Sequence, residues 1–259
     1  MRDTGLDEAI RAAGGVGALA RKIGISQPSV SNWARIPAER VLSVEAATGV
    51  SRGILRPDLY AEHHGTAGDV DEVDAARAQE YALLAALLAR APDAALLERL
   101  GALRGDPSPL GLAHAALSDA ASRTNAERVE REYFDLFIGL GRGELLPYGS
   151  YYLTGFLHER PLARLREDLV RLGIERTEGQ AEPEDHAAIL CEIMAGLASG
   201  RFSAPAGADR ELFEQHLASW IGRFFADLEQ AEAADFYRRI GTLGRVFIEI
   251  ETEALALPS

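Results

Sequence analysis

No stretch of this chain alternates apolar and polar residues at period two, which removes the sheet from the folds open to it. What recurs instead is apolar spacing of three and four residues, punctuated by glycine and proline, so an all-α fold is expected. From Val73 onward the pattern is helical almost throughout. Tyr81-Ala-Leu-Leu-Ala-Ala-Leu-Leu belongs to a helix buried on most sides. Pro92-Asp93 restarts a helix that runs to about Leu103, and Pro107 and Pro109 break it. Further helices are expected at about 110–121, 124–138, 161–172, 184–199, 209–228 and 232–256.

A chain of 259 residues, 47% of them hydrophobic, can bury one or two real cores. Its single cysteine, Cys191, excludes an intrachain disulfide and a multi-cysteine metal site and fits a reducing compartment. The opening Met1-Arg2-Asp3-Thr4-Gly5 lacks the apolar core of a signal peptide, and no apolar run is long enough to insert in a membrane. A cytoplasmic location is therefore expected. Charge is unevenly divided. Residues 1–60 hold 8 Arg and Lys against 6 Asp and Glu, whereas the remainder carries a net charge of −15. Halves of opposite sign suggest two domains with different partners, the acidic one suited to a basic peptide and repelling nucleic acid.

Residues 5–13 read as a short helix closed by Gly14-Gly15, and Val16 to Ile23 as a second with Leu19 and Ile23 inward. Gly24 supplies a tight turn, Ile25 plugs the corner and Ser26 is a good N-cap. Gln27 to Ala34 is then a third helix with Val30 and Trp33 inward. Helix, glycine turn, capped helix is the helix-turn-helix pattern, whose second helix enters the major groove. The outward residues are the candidate DNA readers. Gln27 can bond adenine, Ser29 and Ser31 can reach phosphate or base, and Asn32 and Arg35 lie further along that face. Arg21 and Lys22 could touch phosphate. A small helical bundle with a polar face that contacts protein would show the same pattern. A fourth helix starts near Pro37 with Val41, Val44 and Ala47 inward, and Gly49 ends it; Ser51 caps a last turn.

Residues 1–60 resemble the Cro-like YdaS family of DNA-binding proteins. The resemblance rests on Gly14-Gly15, Leu19-Ala20, Gly24-Ile25-Ser26-Gln27, Val30-Ser31-Asn32-Trp33, Ile36-Pro37-Ala38-Glu39-Arg40 and Arg56-Pro57-Asp58-Leu59-Tyr60. The family often has a longer basic stretch between the tryptophan and the Ile-Pro, where this chain has only Ala34-Arg35. Residues 61–72 are polar, glycine-containing and non-periodic, and read as a linker to a domain over 73–259. Within it, His63-His64 is either a metal-binding pair or a solvated one.

The most informative stretch of the second domain is Glu182-Pro183-Glu184-Asp185-His186, ahead of a long apolar run. Pro183 suits the first helical position, and Glu184 and Asp185 place negative charge on the positive end of the dipole. His186, Leu190, Ile193 and Leu197 share a face, so His186 turns inward. An Asp185 carboxylate in a first turn is expected to be accessible and able to take a guanidinium in bidentate geometry. On spacing alone, the stretch reads as a capped core helix with one satisfied histidine. A second patch runs from Tyr133-Phe134-Asp135-Leu136-Phe137, through Gly139, Gly141 and Gly143, to Leu146-Pro147-Tyr148-Gly149-Ser150-Tyr151-Tyr152. Its glycines allow close backbone approach and its tyrosines give rigid amphipathic surface, so it is either binding surface or a loop pinned to the core.

Glu-Pro-Glu-Asp-His is similar to the E-P-x-D-H signature of the TorD-like chaperones, and the second patch to that family's Y-x-x-L-F and P-Y-x-S-x-Y. The resemblance covers about residues 72–259. It implies an all-helical TorD-like fold and a chaperone for maturation of a molybdenum-containing redox enzyme, by analogy formate dehydrogenase. The partner would be the twin-arginine signal peptide or the apo form of the enzyme subunit. On that resemblance Asp185 would meet an arginine beside Glu182, His186 would shape the site, and Tyr148, Ser150 and Tyr152 would line it. Trp220 matches a recurrent tryptophan, read as packing.

No nucleotide-binding glycine motif follows a strand, no metal-ligand spacing is present, and no nucleophile accompanies Asp185 and His186. The expectation is therefore no enzyme, no cofactor and no metal. The alternative function is a DNA-binding transcriptional regulator whose helical C-terminal domain senses a ligand or the immature enzyme. The sequence leaves a homo-oligomer open.

Overall fold

The computed structural model describes residues 3–50, 52–56, 72–176 and 181–256. Their regular structure is helical apart from one isolated antiparallel bridge, as the all-α expectation requires. No helix among them is long and apolar enough to cross a membrane. The chain divides into two compact units, Met1–Asp69 and Val70–Ser259. The expected linker, 61–72, lies outside the described residues except for Glu72, which opens a helix. Ser51, Pro57 to Tyr60, His63 and His64 lie outside them too.

The first unit contains α1 (Thr4–Ala13), α2 (Val16–Lys22), α3 (Gln27–Ser31), a 3₁₀ turn (Ala38–Arg40), α4 (Val41–Thr48) and α5 (Arg52–Leu55). Leu6, Leu19, Val30, Ile36, Val41, Val44 and Leu55 form its core, with Ile25 and Trp33 packed against it. Gly24 takes φ 72°, which an L-residue reaches only with strain, and this lets the Ile25 N–H return to the Ala20 carbonyl. Ser26 then caps α3 through its hydroxyl, as expected. The third helix is shorter than the sequence suggests. It stops at Ser31 with Asn32 as its C-cap, because the chain must turn to bury Ile36.

The second unit contains α6 (Glu72–Ala89), α7 (Ala94–Gly101), α8 (Pro109–Arg123), α9 (Ala126–Tyr133), α10 (Gly149–Thr154), α11 (Arg160–Arg171), α12 (Ala187–Ala198), α13 (Ala208–His216), α14 (Ile221–Gln230) and α15 (Phe236–Ala256). Helix α12 is apolar on nearly every side and runs through the core against α6, burying Leu190, Cys191 and Met194 completely. The Cys191 thiol is pushed up to about 12 by burial and is inert as a nucleophile. Helices α14 and α15 pack closely, since a Cβ on Gly244 would lie 2.3 Å from the Phe225 ring.

Three expected helices differ. The helix expected over 124–138 gives way at Phe134–Ile138 to a wider π-helical turn, closed by the Gly139 N–H on the Phe134 carbonyl at 2.7 Å. The helix expected over 209–228 breaks between His216 and Ile221. The break swings Trp220 into the core while its indole N–H still reaches the His216 carbonyl at 2.6 Å. The helix expected from 184 begins only at Ala187.

A buried ion-pair network ties α6 to α13 and α15. The Arg77 guanidinium donates to both oxygens of Glu251, at 2.8 and 3.0 Å, and also to Asp74 and Asp209. The Tyr81 hydroxyl donates to the same Glu251 carboxylate. Glu251 is only 1% exposed, so its charge depends on Arg77. Arg77→Met leaves that carboxylate uncompensated and is expected to cost about 3–5 kcal/mol, whereas Arg77→Met with Glu251→Leu should recover most of the loss. Urea unfolding of wild type, single and double variants measures both effects.

Candidate functional site

The two patches picked out in the sequence of the second unit meet through backbone. The Gly149 N–H donates to the Asp185 carbonyl at 2.9 Å and the Ala187 N–H to the Pro147 carbonyl at 2.8 Å. Tyr148 and His186 are the bridged pair, and their rings meet edge to face with centroids 5.0 Å apart. The Tyr148 hydroxyl donates to Glu182 at 2.6 Å. Burial and then that carboxylate hold the phenol above its ordinary pKa, so it stays a donor. The structure thus brings Glu182, Asp185, His186, Tyr148 and Ser150 into one cluster. Tyr152 points elsewhere. It packs on Trp220 and Phe224 and donates its hydroxyl to Asp227 at 2.9 Å, the behaviour of a core anchor.

Two expectations about this stretch are corrected. Pro183 is not the first helical residue. Residues 183–186 form a turn closed by the His186 N–H on the Pro183 carbonyl, and His186 is the N-cap of α12. Because Asp185 sits in that turn, its carboxylate folds inward and is 3% exposed instead of accessible. One oxygen, Oδ2, accepts the Ser150 N–H at 2.8 Å, so the carboxylate is not the open, accessible fork acceptor that was expected. The other, Oδ1, is buried with no partner, as is the Ser150 hydroxyl among the described residues. Ser150 is fully buried and supports Asp185 through its backbone. Beside them, burial pushes the Glu184 carboxyl up, but the hydrogen bond from Arg166, a backbone hydrogen bond and the charges of Arg166 and Arg176 together hold it below the ordinary value.

Asp185 lies on a cleft of about 370 Å³ between α10, α11 and α13, whose apolar walls are Leu153, Pro161 and Leu165. The polar lining comes from α11 and α13, as Arg164, Glu167, Asp168, Gln215 and His216. Asp168 is engaged at both oxygens, by His216 Nε2 at 2.7 Å and by Arg171 at 3.0 Å. None of these five residues is marked by local sequence. The pair Asp168 and His216 comes from helices far apart in the chain, and the only sequence signal is that α11 is strongly amphipathic. Leu153 is 42% exposed and leads into the exposed Phe156 and Leu157 at the cleft's edge.

In the first unit, Gln27, Ser29, Ser31, Asn32 and Arg35 are all exposed, as are Arg21 and Lys22. Ser29 is partly occupied, its hydroxyl lying 2.7 Å from that of Ser26. No group of three or more His, Cys, Asp or Glu placed to hold a metal occurs among the described residues.

Comparison with known proteins accords with this architecture. The family model described as nitrate reductase delta subunit matches residues 104–226, and that described as bacterial toxin YdaS matches residues 6–64. The chaperone protein TorD of Vibrio cholerae serotype O1 is 30% identical over 150 residues, spanning 54% of this chain and 68% of that protein. TorD of Aliivibrio fischeri is 27% identical over 172 residues, spanning 62% and 73%. The Tat proofreading chaperone DmsD described from Haemophilus influenzae is 26% identical over 132 residues, spanning 50% and 63%. The chain belongs to the TorD family, whose members are chaperones and not catalysts, and it carries a YdaS-like helix-turn-helix unit ahead of the TorD-like one.

His186 gives the site a pH dependence. Its Nδ1 accepts the Ala188 N–H at 3.1 Å, so the neutral ring carries its proton on Nε2. Burial lowers the imidazole below its usual value, against the opposing charges of Glu182 and Asp185. A base depressed in the folded state contributes its stability above the unfolded pKa of about 6.5 and loses it as pH falls through the folded value. Between pH 7 and 5 the wild type should therefore lose more melting temperature than His186→Asn, whose side-chain oxygen can cap without titrating. His114, raised by its bond to Glu80, titrates in the opposite sense in both proteins and cancels in the difference.

Proposed function

We propose that this chain is a cytoplasmic chaperone for the maturation of a molybdenum-containing redox enzyme, and that it binds the twin-arginine signal peptide of the precursor in the cleft beside Asp185. The observation that carries this reading is Asp185, a carboxylate that lines the cleft and is 3% exposed, with its oxygen Oδ1 left without a donor. An unsatisfied buried acceptor is costly, and a guanidinium entering the cleft supplies the missing N–H. Glu182, Tyr148 and His186 form the wall that holds this turn, and Ser150 fixes the carboxylate from behind. The exposed Leu153, Phe156 and Leu157 offer apolar surface to the peptide's hydrophobic segment. The net charge of −15 over residues 61–259 favours approach of a basic peptide.

The chain on this reading works as two domains, 1–60 and 73–259. The exposed polar residues of the first, Gln27, Ser29, Ser31, Asn32 and Arg35, support DNA contact. That favours a second reading, a regulator whose C-terminal domain reports on the immature enzyme; both activities can reside in one chain.

Asp185→Asn keeps an acceptor for the Ser150 N–H but removes the charge. It is expected to weaken a twin-arginine peptide by about tenfold or more, measured by isothermal titration, with the circular dichroism unchanged. Loss of fold without a specific loss of binding would make this stretch a capped core helix and nothing more. Gln27→Ala and Asn32→Ala should each cost about 1–3 kcal/mol of discrimination between operator and random DNA in the full chain. Equal, weak binding to every DNA in wild type and both variants argues against the regulator.

A further inference from the structure

We infer that Gly17 is a positioning residue for DNA reading: its missing side chain leaves a notch in α2 that holds the Gln27 amide in the orientation in which it meets a base. The inference rests on the second reading above, DNA contact through α3. The helix-turn-helix brings the first residue of α3 back onto the first turn of α2. A Cβ built on Gly17 would lie 3.2 Å from Gln27 Oε1 and 3.6 Å from its Cδ. The Arg21 guanidinium, one turn further along α2, closes on the same point, with Nη1 3.8 Å away. Gly17 is helical and its φ is not positive, so the backbone alone gives no reason for a glycine here. The reason lies in the space that the absent methyl leaves to Gln27.

The backbone of Gln27 is already fixed. Ser26 caps α3 by accepting the Ser29 N–H, and Pro28 follows with its own φ locked. What remains free is the side chain, which ends in an exposed amide. An exposed glutamine samples many rotamers, and that freedom is lost when it meets a base. Resting the amide on the bare backbone of Gly17, with Arg21 on one side, removes part of this cost before binding. Bidentate reading of adenine by an amide also tolerates little displacement. An alanine at position 17 would put its methyl 3.2 Å from the amide oxygen, tighter than ordinary van der Waals contact. The amide must then swing outward, since Arg21 occupies the side along α2.

The test uses the full chain and duplexes carrying about two helical turns of random sequence, selected by binding and sequenced. The selected duplex and its single-base variants are then compared by fluorescence anisotropy. Gln27→Ala identifies the base pair that Gln27 reads, as the position where discrimination falls by about tenfold. Gly17→Ala should lower discrimination at that same base pair by about threefold or more and leave the other positions unchanged. Alanine is the better helix former, so thermal unfolding should come no earlier, which separates this loss from any loss of fold. With Gln27→Ala already in place, Gly17→Ala should have no further effect on discrimination. Discrimination intact in Gly17→Ala, or a loss that adds to that of Gln27→Ala or spreads evenly over the site, overturns the assignment while leaving DNA reading by α3 in place. Selection that enriches no sequence, or Gln27→Ala indistinguishable from wild type at every base pair, removes DNA reading by Gln27 and the assignment with it.

Discussion

Two backbone hydrogen bonds, Gly149 N–H to the Asp185 carbonyl and Ala187 N–H to the Pro147 carbonyl, hold the candidate site together. They fix one residue-pair bridge in a unit otherwise helical among the described residues, and the turn that carries Asp185 depends on it. With the bridge made, the Ser150 N–H reaches Asp185, the Tyr148 ring meets His186, and the acidic turn is pinned at the mouth of α12. Without it, the turn would be free to become the first turn of the helix, as its proline invites. The bridge instead leaves His186 to act as the cap. A short piece of strand-like pairing thus converts a helix start into a pinned turn.

The fold was legible in the sequence because helical periodicity is a local property. Core residues such as Leu19, Val30, Tyr81 and Leu190 sit inside for the reason that their spacing implied. The helix-turn-helix was legible because Gly24 and Ser26 act within a few residues of themselves. Where the reading went wrong, the cause was non-local. The extent of α12 was decided by Pro147, the burial of Asp185 by Ser150, and the break before Ile221 by the packing of Trp220. The cluster of Glu182, Asp185, His186 and Tyr148 could be named in advance only through family resemblance. Glu167, Asp168 and His216 carried no mark at all, since a polar residue on an amphipathic helix looks the same whether it faces water or a cleft.

The same non-local logic stabilises the frame. Glu132 accepts the backbone N–H groups of Asp235, Phe236 and Tyr237, capping α15 from a different helix. Burial still raises that carboxyl above its ordinary value, so the cap works against its own desolvation. Glu144 does the same for Glu232 and Ala233. Glu132 precedes the glycine-rich stretch that ends at Tyr148, and Glu144 lies within it. That stretch is thereby fastened on its N-terminal side to α15, and at its end to the acidic turn.

The chain has two tryptophans, and the fold gives one to each unit. Trp33 is half-buried beside the turn that presents α3, while Trp220 is fully buried against Tyr152 and beside Gly149 at the back of the cleft. Their different surroundings separate their emission without any label. Replacing either by phenylalanine leaves a native optical probe for the other unit, so changes in the helical unit that holds the cleft and in the helix-turn-helix can be followed separately in the full-length chain.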